Sequence, residues 1–162
     1  MKKGLQILAY TILGLALGWY GSVFYYRIVK VDPEFVSASS YTDMLALINK
    51  DREKFNLKPL ERNLMLEESA KAKACDMRDK NYFEHVSPDG KQPWDFIKDA
   101  GFIDYERAGE NIAKDFDSTK QMAEAYMQSE AHRDNILDPD YTEVGIGVCG
   151  RYQVEHFASY KK

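Results

Sequence analysis

The stretch Ser129–Val148, SEAHRDNILDPDYTEVGIGV, changes its period halfway along, and that change decides the fold class. Its first part reads as a helical turn around His132 that runs to Asp138-Pro139, where the proline disfavours further helix. In its second part Val144, Ile146 and Val148 alternate with Gly145 and Gly147, the two-residue period of a strand. After Gly150 a second run, Tyr152 to Tyr160, pairs back as a hairpin. The two strand glycines precede no helix and lack a third member, so they form no phosphate loop; close approach of another backbone is the expected reason for them.

Upstream of this stretch the signals are helical. Ser118 with Gln121 forms a capping-box signature for a helix through Met122, Ala125 and Tyr126. Pro93 begins a short helix, Trp94 to Ala100, that Gly101 stops. Before it, Ser87-Pro88-Asp89-Gly90 reads as a tight turn, which puts His85 at the entrance of a loop. Asn63 caps a longer helix whose stripe Leu66, Ala70, Ala74 and Met77 faces a core, with Glu67, Lys71, Arg78 and Lys80 on the other face and Cys75 at the border. A first helix is expected from a Thr42 cap through Tyr41, Leu45, Ile48 and Phe55, ended by Asn56 and Pro59. Helices first and strands last predict an α+β domain, with helices packed on a small, mainly antiparallel sheet.

Ahead of the domain, Leu5 to Tyr26 contains no charged residue and is long enough to cross a bilayer as a helix, with Trp19, Tyr20 and Phe24 to Tyr26 at its interfacial end. The organisation read from this is a short cytoplasmic flank at residues 1–4, a transmembrane signal anchor at 5–26, a linker at 27–40 and one domain at 41–162. The alternative is a secreted chain released by cleavage after Val36-Ser37-Ala38, a site that lies beyond Arg27, Lys30, Asp32 and Glu34. Lys2 and Lys3 balance Arg27 and Lys30 across the span, so charge counting leaves its orientation open. All 26 acidic residues follow position 30, so the domain is more acidic than the chain's net −4, and nucleic acid is excluded as a partner.

Two cysteines, Cys75 and Cys149, permit one disulfide and do not fit a zinc ribbon. In an exported domain they bridge a helix to a strand; in a cytosolic one they are two small buried residues. Of the three histidines, His85 and His132 lie in dense polar motifs, with the Gly109-Glu110-Asn111 triplet between them. Two imidazoles and a carboxylate are a sufficient ligand set for a divalent transition metal, and without metal Glu110 can orient a histidine or act as a base. There is no HExxH spacing to support the metal, and the bland alternative is that each histidine hydrogen-bonds a loop or helix end. Ser129 reads as a helix-end hydrogen-bonder, His156 as a partly buried strand residue, and Asn111 and Asn135 as loop amides that tie backbone together.

Taken in order, HVSPDGKQPWDFIKDAG, AGENIA, SEAHRDNILDPDYTEVGIGV and a closing strand with Phe157 resemble the CAP superfamily, also called the SCP domain, in its short bacterial form. The resemblance runs from about Tyr41 to the end. It implies an α-β-α sandwich around a central twisted antiparallel sheet, and a groove lined by two histidines and two acids, where some members bind a divalent metal such as zinc. His85, Glu110 and His132 match three of those positions. The fourth falls on Ser129 in an ungapped match, with the acid Glu130 one residue later, about 100° around a helix. Tyr126 stands where relatives often carry tryptophan. The resemblance also implies an extracellular domain, which orients the single membrane pass read from Leu5 to Tyr26 and makes a Cys75–Cys149 bridge as expected as two free thiols. Two functions follow as expectations: a surface-anchored module binding a lipid, glycan or peptide, or a hydrolase using metal-bound water or Glu110 as base.

Overall fold

Asn63 ends one segment and starts the next by a simple device: its side-chain oxygen accepts the backbone N–H groups of Met65 and Leu66, at 2.9 and 3.1 Å. Those are donors that the first turn of a helix leaves without partners. In the computed structural model, which describes residues 37–161 with side chains from 43, this cap opens helix α2 (Leu64–Asp79). Leu66, Ala70, Ala74 and Met77 are fully buried along it, as the stripe requires. The buried face also takes in Ser69 and Lys73.

Five helices and four strands are described, namely α1 (Ser37–Lys54), β1 (Glu61–Arg62), α2, α3 (Pro93–Asp99), β2 (Tyr105–Lys114), α4 (Thr119–Gln128), α5 (Glu130–Leu137), β3 (Glu143–Cys149) and β4 (Tyr152–Tyr160). The strand order is β1-β3-β4-β2. β3 and β4 form the expected hairpin, and β2 lies antiparallel on the other side of β4. The short β1 runs parallel to β3, so the sheet is mixed and open rather than wholly antiparallel.

Alternation along the strands separates two cores. Val144 and Ile146 of β3 and Phe157 of β4 pack with Met44 and Ile48 of α1, Met122 and Tyr126 of α4 and Ile136 of α5. On the opposite face Val154, Tyr152 and Cys149 pack with Ala70, Ala74 and Met77 of α2, while Ala158 meets Leu66, Ile97 and Phe102 near α3. Helices therefore cover both faces.

β3 can be this close to α2 only because of its glycines. A Cβ built on Gly145 would lie 2.0 Å from the Leu66 carbonyl carbon, and one on Gly147 would lie 2.0 Å from the Lys71 nitrogen. Both obstacles are backbone, so no rotamer change relieves them. The same contact brings Cys75 of α2 to Cys149 of β3, and the two are disulfide-bonded with Cα atoms 5.0 Å apart. Closing 74 residues of chain in this way contributes about 4 kcal/mol in the loop-entropy account.

Three local expectations are corrected. Helix α1 begins at Ser37, so Thr42 lies inside it and residues 37–40 of the expected linker are helical. Its buried line is Met44, Ile48 and Arg52, whereas Phe55 follows the helix and is exposed. Arg52 is buried because its guanidinium spans chain ends that need donors, reaching the carbonyls of Lys58, Ile136, Asp138 and Tyr141. The third correction is β2: a strand, not a loop, carries Glu110 and Asn111. The expected membrane span, residues 5–26, and its cytoplasmic flank lie outside the described residues. Among those that are described, no helix is long and apolar enough to cross a membrane.

Gly147→Ala should cost about 3 kcal/mol or more in urea unfolding, because the clash is with backbone. Gly90→Ala, with open space around its Cβ but φ +84°, should cost only about 1–2 kcal/mol. Equal effects at the two positions would refute the close-approach account.

Candidate functional site

β2 and β4 are paired so that Glu110 stands opposite His156. Both side chains point to the α2 face, and the His156 Nε2 lies 2.9 Å from Glu110 Oε2. The second carboxylate oxygen, Oε1, lies 2.7 Å from Nδ1 of His85. One buried carboxylate thus bridges two imidazoles, one fully buried and one largely exposed. Burial opposes the charge on Glu110, but hydrogen bonds from His156 and His85 hold its pKa below the ordinary value.

α2 supports this pair from behind. Ser69 places its hydroxyl 2.7 Å from the other nitrogen of His156, while it also donates to the Leu66 carbonyl. One turn later the fully buried Lys73 sends its ammonium to the Tyr82 hydroxyl and to the carbonyls of Glu84 and His85, all within 2.9 Å. Three donors meet three acceptors, and the segment carrying His85 is tied down. Burial lowers the Lys73 pKa, opposed by the charges of Glu110 and Asp76. The next turn is fixed by Asp76, which accepts from Ser87, Tyr82 and Lys80. Gly90 closes it, with its N–H 2.8 Å from the Ser87 carbonyl.

On the other face of the sheet, α5 is held by amides. Asn135 donates to the Asn111 side chain at 2.9 Å and to the Glu110 carbonyl at 3.2 Å; Asn111 donates to the His132 carbonyl and to Glu155. Gly109 leaves room for this junction, because a Cβ there would sit 2.6 Å from the Tyr141 hydroxyl. The His132 ring packs on Tyr126 with centroids 4.9 Å apart, and burial, with a smaller effect from His85, lowers its pKa. Beneath it Glu155 is completely buried; one oxygen meets Asn111, the other has no partner, and burial pushes its pKa up to about 8.

Between the two histidines is an open cleft of about 510 Å³, lined by Phe83, Glu84, His85, Val86, Ile112 and His132. Its walls are mainly apolar and its nitrogen donors come from opposite sides, a composition suited to holding a ligand.

With this geometry in view, the likeness to known proteins is specific. The family model for the cysteine-rich secretory protein family, CAP, matches residues 45–159. The chain belongs to that family. It is 46% identical to the Bacillus subtilis protein YkwD over 112 residues, covering 68% of this chain and 43% of that protein. It is 34% identical to the B. subtilis membrane protein YlbC over 122 residues, 75% of this chain and 35% of that one. Each match thus takes in less than half of the relative's length. A crystal structure of an extracellular protein containing an SCP domain from Bacillus anthracis superposes with a TM-score of 0.74, at 27% identity, covering 77% of this chain and 42% of that one.

In this CAP domain His85 and His132 both reach the cleft, while Glu110 stands behind His85 and lines no part of it. Ser129 joins α4 to α5, with its N–H bonded back to Ala125 and Tyr126, and the neighbouring Glu130 is exposed; neither lines the cleft. Among the described residues no group of three His, Cys, Asp or Glu side chains is placed to hold a metal ion. The donor set gives the reason. Both oxygens of Glu110 already meet imidazoles, leaving one nitrogen of His85 and the ring of His132. Two imidazoles fall short of the three protein ligands a catalytic zinc uses, so the His85–Glu110–His132 set does not fit that ion as it stands.

Sequence reasoning missed His156, Ser69, Lys73 and Glu155. His156 was expected to be a partly buried strand residue with no role in the site; it is fully buried and bonded to Glu110. Asn111 and Asn135 tie backbone as expected, but from a strand and a helix. The usable signal for Ser69 and Lys73 was helical spacing, since each immediately precedes a residue of the buried stripe.

Glu155 generates a test. A carboxyl whose folded pKa is about 8, against an ordinary 4.5, binds its proton more tightly when folded, so its contribution to stability falls as pH rises from 4.5 to 8. Glu155→Gln should therefore gain stability relative to the parent as pH rises through that window, by a few kcal/mol at most. Parallel Tm-versus-pH curves for the two proteins would show that Glu155 ionises freely.

Proposed function

We propose that this CAP domain is a ligand-binding module displayed on the outer surface of a bacterial cell, with the cleft between His85 and His132 as its binding site. The observation that carries the reading is the shape and chemistry of that cleft, with mainly apolar walls and two imidazoles, His85 hydrogen-bonded by Glu110 and His132 packed on Tyr126. Glu110 orients the His85 ring through Nδ1, and the His132 ring packs on Tyr126 while Asn111 holds the His132 backbone carbonyl. Such preorganisation lowers the entropic cost of binding.

The hydrolase reading is disfavoured by Glu110. A general base needs reach to its proton and a pKa near the working pH. Here the carboxylate is buried, both oxygens are engaged and its pKa is lowered, which suits orientation of His85 rather than proton abstraction. Zinc is not part of the proposal, because its third protein ligand is lacking.

Export is supported by the Cys75–Cys149 disulfide, a bond that persists in oxidising compartments. The extracellular B. anthracis protein and the membrane protein YlbC point the same way by their descriptions. Tethering by residues 5–26 completes the proposal. Membrane fractions should contain a chain that keeps its amino-terminal segment; a mature product beginning near Ser39 would establish cleavage instead.

Binding can be screened with glycan, lipid and peptide arrays against the full chain in detergent micelles. His85→Ala and His132→Ala should each weaken capture by about tenfold or more. Glu110→Gln should weaken it less while leaving the cleft formed. Capture unaffected by both histidine changes would move the site elsewhere.

A further inference from the structure

We infer that the occupant of the cleft is an extended peptide, which pairs as an added strand with the outer edge of β2 and presents an acidic side chain to Lys114. This deepens the binding reading above and rests on it. Among the described residues β2 pairs with β4 alone and ends the sheet. Its ladder direction is fixed at two points: the Asp115 N–H donates inward to the Arg151 carbonyl, at 3.1 Å, and the Glu110 carbonyl points outward to Asn135, at 3.2 Å. Antiparallel pairing alternates inward and outward residues. Asn111 and Ala113 therefore bond to β4, and Ile112 and Lys114 turn their N–H and C=O groups away from it. Asn135 covers the edge at Glu110, and beyond that point no strand follows.

Ile112, only 7% exposed, lines the cleft together with the Phe83–Val86 segment and His132. A ligand resting there meets backbone donors and acceptors repeating every two residues, a spacing that an extended chain reproduces and a lipid or glycan does not. Side-chain chemistry agrees. Phe83 and Val86 are 43% and 41% exposed, large for apolar groups beside a cleft. Lys114 stacks its ammonium over Tyr152 at 4.6 Å and has no carboxylate partner among the described residues. Phe83 packs near the same ring, with centroids 6.4 Å apart. Residues two apart on an incoming strand face one side, so one apolar side chain would meet Phe83 and Val86 while its second neighbour, acidic, would meet Lys114.

The probe is a library of acetylated, amidated hexapeptides with one acidic position and an apolar residue two away, mixed with the full chain in micelles. The readout is amide hydrogen exchange. In the free protein Ile112 and Lys114 should exchange about a hundredfold faster than Asn111 and Ala113, and a binding peptide should slow both by about tenfold or more. Methylating the peptide amides that alternate toward β2 should abolish binding, while methylating the intervening ones should not. Lys114→Glu should weaken acidic peptides by about tenfold and favour lysine-bearing ones. The proposal is overturned if Ile112 and Lys114 are already protected in the free chain, if no library member protects them, or if protection comes from a second copy of the chain. The two readings fail separately. Peptide protection that survives His85→Ala keeps strand addition and removes the histidine rim; a glycan or lipid that binds through His85 without protecting Ile112 does the reverse.

Discussion

The contact between the backbone of α2 and the glycine face of β3 sets the positions of nearly everything that matters in this domain. With Gly145 and Gly147 the helix lies directly on the strand, and the Cys75–Cys149 bond holds it there. At that distance Ser69 reaches His156 and Lys73 reaches the carbonyls of Glu84 and His85. A side chain at either glycine would lift α2 and break both connections. Packing and site geometry are thus one constraint, and the site inherits the rigidity of the core.

The buried charges follow a division of labour that this packing imposes. On the α2 face Glu110 is surrounded by donors and keeps its charge; on the α5 face Glu155 has one amide and one empty oxygen, and its pKa rises to about 8. The two carboxyls sit on neighbouring strands, yet their environments push them to opposite protonation states. Leaving a buried polar group without its partner typically costs about 1–3 kcal/mol, so His156, bonded to Glu110, and Lys73, bonded to three acceptors, matter to folding as well as to the cleft. Arg52 does comparable work elsewhere, gathering four carbonyls, one from the loop between α1 and β1 and three from the end of α5 and the approach to β3.

Much of the fold was legible because it rests on local rules. The Asn63 cap, the turn at Ser87–Gly90, the Pro93 start and Gly101 stop, and the β3–β4 hairpin are each written in a few neighbouring residues. β2 was not legible: its run Tyr105–Lys114 carries charges and small residues dictated by what each position meets in space, which masks the alternation of a strand. The site was half legible. His85 and His132 stand out by their polar surroundings, whereas His156 sits in an apolar strand with its partner 46 residues away.

By itself the sequence determined the α+β order of elements, the family, the pair of histidines and the two cysteines available for one bond, because capping, periodicity and motif chemistry are properties of neighbours along the chain. Only the tertiary structure decided that Glu110 bonds the imidazoles of His85 and His156, that Ser129 and Glu130 stand apart from the cleft, and that β2 ends the sheet among the described residues. Those outcomes depend on strand register and on which face each residue takes. Register is set by the whole sheet at once, where a shift of one residue would exchange every inward side chain for an outward one.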